Sequence, residues 1–228
     1  MAEWSCVRCG GALRPASQAP PRLRCEGCAR GFPLLDGRIP VLVAEPEIEL
    51  ARLYMQHDHH LRRQAERAQA LERRAVEVPS RADALRGLAK ALRANAARVE
   101  AARQALRPYL AVDDVVEAGR APDFIGYAST LEYLERDWCG LPEGEHELEV
   151  ILGEVHAALG AAGDPEGLVV VLGAGAGRVA WELRRRFARV VAVDASLTMA
   201  QHFHAVLDGP VPFHAIATSS TWADEDLV

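Results

Sequence analysis

Four cysteines and three glycines carry the chemistry that can be read from this chain. Cys6-x2-Cys9 is followed, after fifteen residues, by Cys25-x2-Cys28. Pairs at that spacing form two tight knuckles whose thiolates converge on one soft divalent ion, and in a reducing compartment that ion is zinc. Four cysteines close the coordination sphere, so the expected metal is structural; disulfide pairing is the competing use of the same residues. The second group is Gly173, Gly175 and Gly177, with Asp194 standing 21 residues after the first of them. Glycines let a backbone approach a ligand closely, and a carboxylate at Asp194 can accept hydrogen bonds from both hydroxyls of a ribose.

The elements that must position this second group follow from the apolar pattern. Leu168 to Leu172 is an unbroken apolar run, which suits a strand buried on both faces of a parallel sheet. The glycine turn comes next, and Val179 to Phe187 reads as a helix with Val179, Ala180, Leu183 and Phe187 at helical spacing. Arg184 to Arg186 crowd its last turn, where cations suit the helix dipole, and its first turn offers free N–H groups to an anion. Val190 to Val193 is a second strand ending in Asp194, and Ser196 can cap a helix running to about Leu207. Val211 to Ala217 can begin a third strand. Strand, glycine turn, helix and strand make the opening βαβ unit of an α/β, Rossmann-like sheet. A dinucleotide fingerprint would place its third glycine where Arg178 stands; the spacing here is G-x-G-x-G.

That spacing resembles the first motif of S-adenosylmethionine (SAM) methyltransferases. Read whole, Gly173-Ala174-Gly175-Ala176-Gly177-Arg178-Val179-Ala180-Trp181-Glu182 is similar to the GAGLGRLAWE signature of the carnosine N-methyltransferase-like family. A second block, Ser129-Thr130-Leu131 followed by Arg136-Asp137-Trp138, resembles that family's STL-x4-RDW segment, and Gly144, Glu145 and Glu147 follow it. The resemblance spans roughly residues 125 to 205. It implies that Gly173, Gly175, Gly177 and Asp194 hold SAM and that Arg136 reaches the SAM carboxylate. Tyr133 stands where a further SAM contact would be a glutamine. It also implies methyl transfer to a nitrogen of a small molecule or peptide. The family's acceptor-binding residues lie beyond this point, so the chain is expected to be C-terminally truncated, with the first part of the sheet and no assignable catalytic base. If it natively ends at Val228, a second polypeptide would be needed.

Around the cysteines, Gly31 to Leu42 carries Asp36-Gly37 between two apolar runs, a hairpin signal. Residues 4 to 43 resemble the zinc-ribbon domains that precede bacterial methyltransferases or partner RNA methyltransferases. The expected organisation is a zinc ribbon over 1–44, a helical region over 45–125 and an incomplete SAM-binding domain over 126–228. In the helical region Pro79-Ser80 separates two helices, Ser80 can cap the second, and Leu85, Leu88, Leu92 and Val99 form its packing stripe. Ala121-Pro122-Asp123 reads as a turn, and Ser129–Trp138 and Glu145–Leu159 as helices. Gln56 to His60 (QHDHH) reads as a solvated helix face in preference to a metal site.

Half of the residues are apolar and a quarter charged, a globular composition. No apolar run reaches about 18 residues and no leader pattern opens the chain, so no membrane association and a cytoplasmic location are expected. The net charge of −6 is uneven: residues 51–108 hold 13 Lys and Arg against 6 Asp and Glu, and residues 109–167 hold 2 against 14. The basic segment has few aromatic residues for stacking bases, which argues against nucleic acid as a partner. The competing function is a non-catalytic zinc-ribbon partner module that completes its fold with a second chain.

Overall fold

The turn at Asp36-Gly37 joins two short strands in the computed structural model, which describes residues 4–111, 113–114, 131–159 and 164–214. These residues divide into two units, one up to residue 114 and one over 131–214. In the first, β1 (Leu13–Ala16), β2 (Arg22–Cys25), β3 (Gly31–Leu35) and β4 (Ile39–Pro40) form an antiparallel sheet in chain order. Its core is small: Cys6, Leu13, Leu23, Cys25 and Phe32.

Two helices follow, α1 (Pro46–Glu77) and α2 (Ala82–Leu106). Pro46 suits the first helical position, where an N–H would have no partner. A single 3-10 turn over Pro79–Arg81 reverses the chain, which corrects the expected role of Ser80. Ser80 lies inside that helical turn, whereas an N-cap needs extended backbone, and Arg81 precedes α2 with no side-chain cap. The predicted stripe packs inward: Leu85 and Leu92 are buried against Ala68, Leu71 and Ala75 of α1, Leu88 packs there partly buried, Val99 is buried farther along α2, and Ala89 joins the seam. The alanines let the helices approach closely, and truncating Leu92 in this seam would cost about 2–5 kcal/mol. The sheet and the helix pair, which composition separates into 1–44 and 45–125, pack on each other. Arg22 pairs with Glu47 at 2.5 Å, and the Tyr109 hydroxyl donates to the Leu34 carbonyl at 2.8 Å.

The second unit holds α3 (Leu131–Trp138), α4 (Pro142–Leu159), β5 (Asp164–Leu172), α5 (Arg178–Leu183), β6 (Phe187–Val193) and α6 (Leu197–Asp208). Helices α3 and α4 cross at Gly144, where a Cβ would lie 1.9 Å from the Arg136 carbonyl oxygen; only glycine permits that approach. Strands β5 and β6 are parallel, with Leu168 opposite Arg189 through to Leu172 opposite Val193.

Three expectations change here. The helix expected over 179–187 ends at Leu183, and Phe187 opens β6. Glu182 and Leu183 carbonyls accept from Arg185 and Arg186 in tight three-residue steps, which terminate the helix. The β5 side chains are not buried on both faces: Leu168, Val170 and Leu172 are 51%, 49% and 77% exposed. Among the described residues this sheet has two strands, so its apolar faces lack the cover that a larger parallel sheet provides. Finally, residues 211–214 are not a strand, and 215–217 lie outside the described residues, as do Ser129, Thr130 and Ala121-Pro122-Asp123. Among the described residues no helix is long and apolar enough to cross a membrane.

Candidate functional site

The four predicted ligands meet. The sulfurs of Cys6, Cys9, Cys25 and Cys28 all lie within 4.8 Å of one another. Across the knuckles, Cys6 and Cys28 are 3.7 Å apart and Cys9 and Cys25 are 3.4 Å apart. Zinc–sulfur bonds of about 2.3 Å in a tetrahedron require sulfurs about 3.8 Å apart, so the cluster fits a metal such as zinc with small adjustments. No disulfide is present among them. Backbone N–H groups of Arg8, Gly27 and Cys28 point at the Cys6 and Cys25 sulfurs, as knuckle turns do when they stabilise thiolates.

The four thiols differ in how easily they ionise. The Cys25 thiol is drawn down to about 7, chiefly by the Cys28 N–H. Burial raises Cys6, but the Arg8 and Cys9 N–H groups outweigh it and leave Cys6 below its ordinary value. Cys9 goes the other way, up to about 12: the Gly11 N–H lowers it, and the neighbouring Cys25 and Cys28 sulfurs overcome that. Four thiols this close cannot all ionise by themselves; a divalent cation removes the repulsion and lets all four coordinate. Among the described residues no second group of His, Cys, Asp and Glu converges in this way. The QHDHH segment is part of α1; His57 is buried, and Asp58 pairs with Arg62 and Arg103.

The second candidate site is also assembled from the residues that its sequence singles out. Asp194 follows β6 directly. One of its carboxylate oxygens accepts the Gly175 N–H at 2.8 Å, and the other accepts the Ser196 N–H at 2.7 Å. Ala174 donates to the Val193 carbonyl at 3.1 Å, so the glycine loop is stitched to the end of β6. Ser196 caps α6 as expected, accepting from Met199 at 3.3 Å.

The three glycines divide their labour. All have positive φ: 65° at Gly173, 54° at Gly175 and 82° at Gly177. A Cβ at Gly173 or Gly175 would meet nothing within 4 Å, so these two leave open space at the carboxyl ends of the strands. A Cβ at Gly177 would lie 2.4 Å from the Phe203 ring. Gly173 and Gly175 thus serve the backbone conformation of the loop with free space beside them, and Gly177 also serves the packing of the loop on α6.

Arg136 is paired locally. Its Nε donates to Asp137 at 2.6 Å, Glu147 lies 3.7 Å away, and the guanidinium sits over Tyr133. Asp137 holds the guanidinium above its ordinary value. The neighbours of Arg136 reach the loop: Trp138 Nε1 donates to the Ala176 carbonyl at 2.9 Å, and Arg178 donates to the Asp137 carbonyl at 3.1 Å. Leu131, Leu134, Ala176 and Met199 form the core beneath. The Trp138 bond is not legible in the sequence, although Trp138 belongs to the second resemblance block; an indole N–H that is partly buried favours an acceptor, and that is the available signal.

Comparison with protein-family models, with curated proteins and with solved structures finds no match for this chain.

Proposed function

We propose that this protein is a SAM-dependent methyltransferase, with an N-terminal zinc ribbon and a Rossmann-like cofactor unit, acting on a nitrogen of a small molecule or peptide. One observation carries the reading. A carboxylate at the end of β6 is held against a glycine loop that follows β5, and two of its glycines face open space. Asp194 spends one acceptor site per oxygen on backbone N–H groups, and each carboxylate oxygen retains another for a ribose hydroxyl. A Cβ at Gly173 or Gly175 would meet nothing within 4 Å, which is compatible with a ligand lying against the backbone there. The G-x-G-x-G spacing, with Arg178 where a dinucleotide site has glycine, favours a ligand without a pyrophosphate.

SAM would supply a methyl group on a sulfonium, open to direct displacement by a neutral amine or imidazole nitrogen. Gly173, Gly175, Gly177 and Asp194 would hold it, with Arg136 available for its carboxylate once released from Asp137. The protein's contribution would be proximity and alignment of the two reactants. The Cys6, Cys9, Cys25, Cys28 cluster would hold zinc with no open position, and so would fold its module without touching the reaction.

Equilibrium dialysis with radiolabelled SAM tests this reading. Asp194→Ala should abolish binding while the fold persists, and unchanged affinity in that variant would sink the ribose assignment. A second reading is a partner module that requires another chain. The exposure of Leu168, Val170 and Leu172 favours it, because apolar parallel strands are normally covered on both faces. It predicts a zinc-loaded, folded chain that binds no SAM alone.

A further inference from the structure

We infer that Trp138 and Arg178 act together as a clamp that positions the glycine loop for its ligand. The inference rests on the reading of that loop as a cofactor site. Trp138 ends α3, and its Nε1 donates to the carbonyl of Ala176, in the middle of the loop, at 2.9 Å. Arg178 opens α5 immediately after the loop. It donates to the Asp137 carbonyl at 3.1 Å, lies 3.5 Å from Glu145 of α4 and 3.2 Å from Glu182 of α5, and places its guanidinium 5.3 Å over the Trp138 ring. Two side chains thus cross in opposite directions between α3 and the loop, and each is stacked on the other.

The chemistry of each group suits the task. An indole N–H has one donor and no acceptor, so it fixes one carbonyl in one orientation. Fixing the Ala176 carbonyl fixes the peptide plane that joins Ala176 to Gly177, and Asp194 separately holds the N–H of Gly175, so the loop is tied at two of its peptide units. Glycines have no conformational preference of their own to hold that geometry. Arginine supplies a rigid planar fork, able to donate to a carbonyl, pair with two carboxylates and stack at once; lysine cannot do all of these. The sixth position of the loop motif, which a dinucleotide site gives to glycine, is therefore committed here to holding the loop. The clamp joins the two sequence blocks that carry the methyltransferase resemblance.

The test uses the full zinc-loaded chain with three substitutions. Trp138→Phe keeps an aromatic ring, though a smaller one, and removes the N–H. Arg178→Lys keeps the charge and removes the fork. Trp181→Phe is the control: its ring centroid is 6.2 Å from that of Trp138, and it belongs to the same aromatic group without serving the loop. Amide hydrogen exchange at Ala174 to Gly177 is read without ligand, and SAM affinity is read separately. Trp138→Phe and Arg178→Lys should each speed loop exchange about fivefold, the effect of one lost hydrogen bond, and weaken SAM by a similar factor. Trp181→Phe should leave both unchanged. Equal exchange in all four proteins, or equal acceleration by Trp138→Phe and Trp181→Phe, would overturn the clamp. Faster loop exchange in the two clamp variants, with no SAM binding even by the parent chain, would support the clamp and overturn the cofactor reading.

Discussion

Replacing Gly177 with alanine should damage this protein far more than the same change at Gly173. The two positions share a loop and a positive φ, 82° and 65°, so both pay the left-handed backbone cost of about 1–2 kcal/mol. Only Gly177 has a neighbour in the way, with a new Cβ 2.4 Å from the Phe203 ring. That ring belongs to α6 and lies 6.1 Å, centroid to centroid, from Trp138, so moving it disturbs that contact. Overpacking of this kind adds about 1–3 kcal/mol, for a total of about 2–5 kcal/mol at Gly177. Urea denaturation of the zinc-loaded chain, followed by the fluorescence of Trp138 and Trp181, reads the difference. Gly173→Ala should shift the midpoint modestly and impair SAM binding through the space it fills. Gly177→Ala should shift the midpoint at least twice as far. Equal midpoint shifts for the two variants would refute the division of labour within the loop.

Three further outcomes follow from the first unit. Gly87 is exposed within α2, and a Cβ there meets nothing within 4 Å, so Gly87→Ala should stabilise the unit by about 0.5–1 kcal/mol in chemical denaturation. Metal analysis should return one zinc per chain, and chelation should unfold the cysteine-bearing sheet by circular dichroism; Cys25→Ser should do the same without a chelator. His60 is held below its ordinary value of 6.5, first by burial and then by Arg63 and His59. Its unfolded form therefore binds a proton that the folded form resists, so its contribution is whole above pH 6.5 and falls away as the pH drops below that value. His60→Gln should flatten the pH dependence of the helix pair between pH 5 and 7, a window set by the ordinary imidazole range.

Local chemistry was the most legible part of the sequence. The Cys6–Cys28 cluster, the Asp36-Gly37 turn, the α2 stripe and the Ser196 cap all depend on short-range spacing, and all are found in the structure. The helix after the glycine loop is shorter than its pattern predicts, because helical spacing from Val179 to Phe187 persists through the three arginines. Where a helix ends is decided by the need to return the chain to β5, which no local pattern records. Burial of Leu168 to Leu172 was misjudged for the same kind of reason: an apolar run says that a strand wants cover, and only the tertiary structure says whether cover is present. Arg136 illustrates a third limit. Motif reading selects the charged residue, while the contact to the loop comes from Trp138, and Asp137 accepts from Arg178 just after it.

The central claim is that the loop after β5 and the carboxylate of Asp194 form a SAM site. Calorimetric titration of the zinc-loaded chain with SAM and, separately, with NADH tests it most directly. Saturable, one-to-one binding of SAM with no response to NADH is the predicted result. Binding of NADH without SAM, or silence toward both ligands from a folded protein, would contradict it.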